Sequence, residues 1–342
     1  MKTGWGLVIC LLFAFACSSS EDAPGGHGSS DAAAAGPVDA AAEAATVRFI
    51  AMGDTGNGNE QQYKVAAAVR DLCAAEGCDF VVLLGDNIYD KGAESTDDPM
   101  WQVAFEMPYA DIDLPFYAVL GNHDYGGKLL GISYGGLGNE FDRGMTEVAY
   151  TQVSSKWKMP DTHYTLRQGP VGFLMLDTNS MMWENTDNGD QAAWIGGAVA
   201  ELADAPWVIA AGHHPYLSNG NHGNAGDYGL GDLDIPVPMD EINGDDVKEF
   251  FDQYVCGKPD VYLSGHDHNR QWLNEAEACG GTELIVSGAA SEVTGIEDQG
   301  NMAHFQEGEE EGFFYGVVDA TSFTGRFYDA DGQLDFERVL TK

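Results

Sequence analysis

The most constraining feature of this sequence is a set of five apolar runs, each ending in glycine and a side chain that can bind a metal ion. The runs FIAMGD, VVLLGD, FYAVLGN, WVIAAGH and VYLSGH end at Asp54, Asp86, Asn122, His213 and His266, and His268 follows two residues after His266. Short apolar runs bounded by Gly, Asp or Asn are typical of buried strands. One such ending is common, but five in one chain indicate a single site assembled at the ends of five strands.

Helical patterns lie between these strands. They are expected over Glu60–Ala75, over 190–203 behind Asp190 as the capping residue, and over Asp245–Val255. Alternating strands and helices predict an α/β fold. Towards the C-terminus, ELIVSGA, GFFYGVVDA, TGRFYDA and GQLDFERVL predict consecutive strands joined by tight turns. We therefore expect two sheets packed face to face with helices outside and an antiparallel tail, in one domain over 47–342.

The first residues have the layout of an export signal. In 1–16 a positive start precedes an apolar stretch, and Cys17 with three serines follows, which resembles a bacterial lipoprotein signal. A plain signal peptide with an incidental cysteine is the alternative. Residues 18–46 contain no aromatic residue, Leu, Ile, Lys or Arg, so 17–46 is expected to be a disordered linker. The protein is thus predicted to be periplasmic or on the cell surface, held at the membrane only through a lipid, or else secreted.

Export also changes the interpretation of the cysteines. Four remain in the predicted folded part, and in an oxidising compartment they favour two disulfide bonds. Pairing by proximity gives Cys73–Cys78 and Cys256–Cys279, although four cysteines allow three connectivities.

The net charge of −39 excludes some partners. With 55 acidic residues against 16 basic ones, the chain repels nucleic acids and anionic membranes. The charge is interpreted as a solvated acidic surface, with adaptation to high salt as a second hypothesis.

The strand ends offer carboxylates, an amide oxygen and imidazoles at one edge of the sheets. In open α/β sheets, ligands bind beyond the carboxyl ends of the strands. This mixture of ligands suits iron, zinc or manganese better than calcium, which prefers oxygen alone. Singly, each residue has an ordinary alternative, such as an Asp that caps a helix. Together they are too many for one ion and predict two ions bridged by a shared carboxylate, an arrangement that hydrolyses phosphoesters.

The motifs GDTG, GDNIYD, GNHD, GHHP and GHDHN resemble the metallophosphoesterase signature. Tyr89, three residues after Asp86, narrows the resemblance to purple acid phosphatases of the small, tartrate-resistant kind, and the similarity runs from Val47 to Leu340. It implies a calcineurin-like fold, in which two packed mixed β-sheets are flanked by helices as a four-layer αββα sandwich. It also implies an acid phosphatase that hydrolyses small phosphomonoesters by attack of a metal-bound hydroxide on phosphorus.

The resemblance assigns roles to individual metal ligands. Asp54, Tyr89 and His268 would hold Fe(III), and Asp86 would bridge the two ions. The second ion, which is ferrous iron, zinc or manganese in this family, would be held by the remaining ligands, Asn122, His213 and His266.

The resemblance also indicates how the leaving group is protonated. His123 is the first candidate, oriented by Asp124. His222, nine residues after His213, is the second, with an ordinary loop histidine as the alternative. His214 stands where a tyrosine is commoner in the small mammalian-type enzymes, and it is expected either to add a polar contact near the phosphate or to have no role.

Two other functions use the same motifs. A phosphodiesterase or nucleotide hydrolase would differ only in the walls of the pocket. A catalytically silent module that binds metal or phosphate would be expected to have lost ligands or His123, and this chain retains them. The glycine-rich segment Tyr125–Arg143 is expected to cover the pocket and to influence substrate choice.

Overall fold

The apolar runs form two seven-stranded mixed sheets in the computed structural model, which describes residues 46–129, 131–133, 135–183, 188–228 and 244–342. The predicted export signal, Cys17 and nearly all of the predicted linker lie outside the described residues.

The strands are short, and most of those in the sheet centres are buried on both faces. In chain order they are β1 (Val47–Met52), β2 (Phe80–Leu84), β3 (Phe116–Val119), β4 (Lys128–Leu129), β5 (Ile132–Ser133), β6 (Trp157–Lys158), β7 (Tyr164–Gln168), β8 (Val171–Met175), β9 (Trp207–Ala211), β10 (Val261–Ser264), β11 (Arg270–Leu273), β12 (Glu283–Ser287), β13 (Ala303–Glu307), β14 (Gly312–Val318), β15 (Ser322–Asp329) and β16 (Leu334–Thr341).

Sheet one has the order β16-β15-β14-β1-β2-β3-β6, and sheet two has the order β13-β11-β12-β10-β9-β8-β7. A separate hairpin pairs β4 with β5. In sheet one, β1, β2, β3 and β6 are parallel neighbours. In sheet two, β8, β9, β10 and β12 are parallel neighbours. The carboxyl ends of β1, β2 and β3 therefore lie on one edge of sheet one, and those of β9 and β10 lie on one edge of sheet two.

The predicted antiparallel tail forms in sheet one, where β14, β15 and β16 are antiparallel neighbours. The run ELIVSGA does not join it. This run forms β12, which lies in sheet two beside β10 and is almost fully buried. A strand buried on both faces fits the centre of a parallel sheet better than a tail with one solvated face.

The helices are Glu60–Glu76, Asn122–Tyr125, Phe141–Tyr150, Thr178–Met181, Asn188–Glu201 and Asp245–Phe250, with π-helical turns at Gln102–Glu106 and Phe251–Val255 and a 3₁₀ turn at Ala276–Cys279. The predicted capping role of Asp190 is wrong, because the helix begins at Asn188 and Asp190 lies in its first turn. An acidic side chain there still interacts favourably with the helix dipole. No helix among the described residues is long and apolar enough to cross a membrane.

Aromatic side chains join the two sheets. The ring of Phe173 in β8 packs edge-on against Phe49 in β1 and Phe80 in β2, with centroids 5.4 and 5.7 Å apart. The outer face of sheet two packs on the helices Asn188–Glu201 and Asp245–Phe250 through a second apolar cluster. Two packed mixed sheets with flanking helices confirm the predicted fold class.

Two disulfide bonds form, Cys73–Cys78 and Cys256–Cys279. The pairing predicted by proximity is thus confirmed. The first closes the end of the helix Glu60–Glu76, and the second ties the end of the π-helical turn to the 3₁₀ turn.

Candidate metal centre

Three of the strand-end residues adopt a backbone conformation that residues other than glycine rarely take. Asp54, Asp86 and His266 have φ angles of 58°, 51° and 70°. The left-handed region costs an L-residue roughly 1–2 kcal/mol, and such residues cluster at functional sites. Here the conformation turns each side chain at the point where its strand ends.

The glycines before the polar residues allow these chain ends to meet. A Cβ atom on Gly121 would lie 2.2 Å from Oδ1 of Asp86, and one on Gly265 would lie 2.6 Å from Oδ2 of Asp54. No side chain fits at either position without moving a carboxylate of the site. The repeated Gly-polar pattern therefore reflects close approach of the strand ends as well as sharp turns.

The first group of side chains lies at the ends of β1 and β2 and beyond β10. The hydroxyl of Tyr89 lies 3.2 Å from Oδ1 of Asp54 and 3.1 Å from Nε2 of His268. Nε2 of His268 is 3.4 Å from the same Asp54 oxygen. Three donor atoms of a phenol, a carboxylate and an imidazole thus converge on one point.

The second group lies at the ends of β3, β9 and β10. Nε2 of His213 is 3.0 Å from Oδ1 of Asn122, 3.1 Å from Nδ1 of His266 and 3.3 Å from Oδ2 of Asp86. His213 and Asp86 are fully buried, and His266 is nearly so. An amide oxygen, a carboxylate and two imidazoles therefore share a second point.

Asp86 stands between the two groups, because one ligand atom each of Asp54, Asp86 and His213 lies within 4.8 Å of the others, and Oδ2 of Asp86 is 3.3 Å from Nε2 of His213. Burial opposes its ionisation, but the facing imidazoles of His213 and His123 hold the pKa of Asp86 below its usual range. Asp86 is therefore an anion placed to contact ions on both sides.

The electrostatics of the site favour positive charge at these two points. Burial lowers the pKa of His213, but the Asp86 carboxylate outweighs it and raises this pKa to about 9. Burial and the carboxylates of Asp86 and Asp54 raise the pKa of Tyr89 well above its usual range. A phenolate would form there only beside a strongly polarising cation. Converging lone pairs, buried carboxylates and electrostatics that favour positive charge are the properties expected of a site for two metal ions.

Main-chain carbonyl groups orient two of these side chains. Nδ1 of His213 donates to the Leu84 carbonyl at 2.9 Å, which directs Nε2 to the site. Nδ2 of Asn122 donates to the Gly136 carbonyl at 2.8 Å, which leaves Oδ1 facing His213. Sequence reasoning missed both supports, because a main-chain acceptor leaves no signal in residue identity.

His123 lies beside the first group, with its ring centroid 4.4 Å from that of Tyr89. Its Nδ1 lies 2.9 Å from the Asp90 carbonyl. Because a carbonyl only accepts, this nitrogen carries a proton, and Nε2 is the nitrogen that remains for other interactions. The Asp90 carbonyl thus fixes the ring.

Asp124 does not hold the ring of His123, so this part of the prediction is wrong. Its carboxylate accepts hydrogen bonds from the main-chain N–H groups of Asn87, Ile88 and Gly121 at 2.7–3.0 Å. Both carboxylate oxygens of Asp124 are therefore hydrogen-bonded to the turns that carry Asp86 and Asn122. Burial and the Asp86 charge raise the pKa of Asp124 to about 7, and it shares a hydrogen bond with the buried Glu147. Asp124 therefore stabilises the turns that carry Asp86 and Asn122 against each other.

His222 lies beside the second group, with its ring centroid 4.1 Å from that of His266. Its main-chain N–H donates to Oδ1 of the buried Asp267 at 2.9 Å. A Cβ atom on Gly220 would lie 2.1 Å from the Asp267 carboxyl carbon, so the turn wraps closely around that carboxylate. The two candidate histidines thus flank different groups of the centre.

The glycine-rich segment Tyr125–Arg143 reaches the site. It contains the β4–β5 hairpin, where Leu129 and Ile132 are exposed, and its Gly136 contacts Asn122. A Cβ atom on Gly136 would lie 2.5 Å from Nε2 of His123. The segment therefore lies against both Asn122 and His123, while its effect on substrate choice stays a prediction.

Comparison with known proteins gives one family match and several relatives. Residues 47–270 match the family described as Calcineurin-like phosphoesterase. The tartrate-resistant acid phosphatase type 5 of Sus scrofa is 28% identical to this chain, with 72% of this chain and 70% of that protein covered.

Two solved structures share the fold. GAP50, the anchor in the inner membrane complex of Plasmodium, has a TM-score of 0.65 at 20% identity, covering 86% of this chain and 89% of that one. A purple acid phosphatase from yellow lupin (Lupinus luteus) seeds has a TM-score of 0.64 at 17% identity, covering 88% of this chain and 54% of that one.

Proposed function

The chain belongs to the calcineurin-like phosphoesterase family, as its motifs predicted, and from this premise we propose that it is an exported acid phosphatase with a dinuclear metal centre. Its substrates would be small phosphomonoesters, which the catalytic domain 47–342 would bind and hydrolyse. The convergence of seven donor side chains on two points joined by Asp86 carries the proposal. The similarity to tartrate-resistant acid phosphatases supports the reaction class.

The two points differ in chemistry, and so would the ions that they hold. Asp54, Tyr89 and His268 would bind Fe(III), which suits a phenolate and a carboxylate. Asn122, His213 and His266 would bind a divalent iron, zinc or manganese ion, and Asp86 would bridge. When bound, the pair would supply Lewis acidity towards the phosphoryl group and towards the attacking water.

Histidine side chains of the chain would protonate the leaving group. His123 presents Nε2 while the Asp90 carbonyl holds a proton on Nδ1, so a doubly protonated ring can donate from Nε2 to a departing alkoxide. His222 would act on the side of the second group. Asp124 would keep the turns of Asp86 and Asn122 in register rather than act on the ring of His123.

Charge and covalent structure bear on substrate and location. A chain with a net charge of −39 repels polyanions at long range, so a small monoester attracted by a local cationic centre is favoured over nucleic acid. The two disulfide bonds favour an oxidising compartment, in keeping with export. Lipid attachment at Cys17 is the proposed means of anchoring, and a mass measurement of the N-terminus would test it.

Activity towards matched esters tests the proposal. The purified chain should hydrolyse 4-nitrophenyl phosphate at acidic pH, and much faster than bis(4-nitrophenyl) phosphate. Asp86→Ala should remove the activity together with the metal, whereas Asp111→Ala, at an exposed acidic residue, should leave both unchanged. Faster hydrolysis of the diester would favour the phosphodiesterase alternative. Full activity of Asp86→Ala would contradict the proposed centre.

A further inference from the structure

His214 is a buried imidazole beside the centre to which the proposed mechanism gives no role. It follows His213 at the end of β9 and is fully buried. Its ring centroid lies 4.9 Å from that of His213 and 4.5 Å from that of His266. One ring nitrogen from each of these three histidines lies within 4.8 Å of the others. His214 therefore borders the second group of donors.

The hydroxyl of Thr178 determines which nitrogen of His214 carries the proton. Oγ1 of Thr178 accepts the main-chain N–H groups of His213 and His214 at 3.2 and 3.0 Å. A hydroxyl has two lone pairs and one hydrogen, so both lone pairs are used. Its hydrogen is left for Nδ1 of His214, 2.9 Å away. Nδ1 is therefore the acceptor, and Nε2 bears the proton.

The Nε2–H group of His214 is a buried donor that is left over. Within the part of the chain that the structure describes, Nε2 has no hydrogen-bond partner although it is shielded from solvent. A buried donor without an acceptor is unfavourable, because it has lost its hydrogen bond to water and gained none in return. An acceptor that arrives with the substrate would remove this cost. The acceptors expected beside the second group are the oxygens of a phosphoryl group.

We propose that His214 binds substrate, donating from Nε2–H to a phosphoryl oxygen of the monoester beside His213 and His266. The inference rests on the proposed phosphatase function and adds a substrate contact on the side of the second ion. Thr178 acts through His214 as a positioning residue. Its hydroxyl anchors the turn that carries His213 and His214 through the two main-chain N–H groups, and it orients the ring of His214 through the contact with Nδ1.

Direct coordination of the second ion by His214 needs the opposite arrangement of protons. Nε2 would then need its lone pair, and Nδ1–H would point at a Thr178 oxygen whose lone pairs are already used. The observed contacts therefore favour a donor to an anion over a fourth protein ligand to the metal.

Phosphate binding to the metal-loaded full chain tests the proposal. His214→Phe keeps a flat ring without a donor, and His214→Gln restores an N–H group at a similar reach. Calorimetric titration with inorganic phosphate should show affinity reduced about 10- to 100-fold in His214→Phe, the usual effect of losing a hydrogen bond to a charged acceptor. His214→Gln should recover most of it. The metal content of both variants, measured by mass spectrometry, should equal that of the unaltered chain.

Two results would overturn the proposal. Loss of one metal ion in His214→Phe would make His214 a metal ligand, and unchanged phosphate affinity would leave it a structural residue. If the Phe variant does not fold, ¹⁵N spectra of the histidines in the zinc-loaded chain report the tautomer, with the His214→Gln spectrum giving the assignment. A proton on Nδ1 would then refute it. Failure of the unaltered chain to hydrolyse any monoester would instead refute the underlying function.

Discussion

Replacing Gly121 by alanine should disable the centre through one added methyl group. Gly121 has φ −108° and ψ 179°, which alanine adopts without strain, so any effect comes from contact alone. The new Cβ would lie 2.2 Å from Oδ1 and 2.5 Å from the main-chain nitrogen of Asp86. Ordinary contacts between carbon atoms are about 3.5–4.0 Å, so the Asp86 turn must move by about 1 Å or more. Overpacking of this kind costs about 1–3 kcal/mol of folding free energy.

The larger effect should be on function, because the moved group is the proposed bridge between the metals. A misplacement of about 1 Å at an active site can cost on the order of a hundredfold in rate. Urea unfolding, metal analysis and hydrolysis of 4-nitrophenyl phosphate would measure the three effects on one preparation.

Gly197 offers a matched control, since a Cβ atom there meets nothing within 4 Å and the residue lies within the helix Asn188–Glu201. Gly197→Ala should keep metal and activity and gain up to about 1 kcal/mol in stability. A Gly121→Ala protein with both metal ions and unaltered activity would refute the reasoning.

Three further predictions concern pH, the His222 turn and the disulfide bonds. Burial raises the pKa of Asp177 from 3.8 to about 6, so its stabilising contribution is complete below about pH 3.8 and is lost as the pH rises from there through about 6. Asp177→Asn should flatten the pH profile of unfolding free energy between pH 4 and 7, and an unchanged slope would contradict this. Asp267→Ala removes the acceptor of the His222 main-chain N–H and so loosens the turn of His222. The value of kcat should then fall about tenfold more for alkyl phosphates than for 4-nitrophenyl phosphate, whose phenolate leaves without a proton. Equal losses would remove His222 from leaving-group chemistry. Replacing Cys256 and Cys279 by serine should lower the unfolding free energy by about 3 kcal/mol. Replacing Cys73 and Cys78 should lower it by only about 2 kcal/mol, because this disulfide closes a shorter loop. The reverse order in urea unfolding would contradict the explanation by loop entropy.

Much of the site could be predicted because its donors follow a pattern that the sheets require. The glycines before Asp54, Asp86, Asn122, His213 and His266 mark strand ends that meet, and parallel strands bring those ends to shared edges. His268 is predicted from its position two residues after His266, whereas Tyr89 is predicted only from the motif resemblance.

The remaining features depend on contacts that residue types do not encode. The ring of His123 is held by the Asp90 carbonyl, and Asn122 is held by the Gly136 carbonyl. The adjacency of Asp124 to His123 in sequence suggested a side-chain contact that the turn does not make. Likewise β12 resembles the tail strands in composition, and its place in sheet two follows from long-range burial.

Metal analysis combined with visible spectroscopy of the purified chain tests the dinuclear centre most directly. We predict two metal ions per chain, at least one of them iron, and a visible absorption band from phenolate-to-iron charge transfer. Tyr89→Phe should lose the band because no phenolate remains. A chain that binds no metal, or a Tyr89→Phe variant with an unchanged visible spectrum, would contradict the proposed centre.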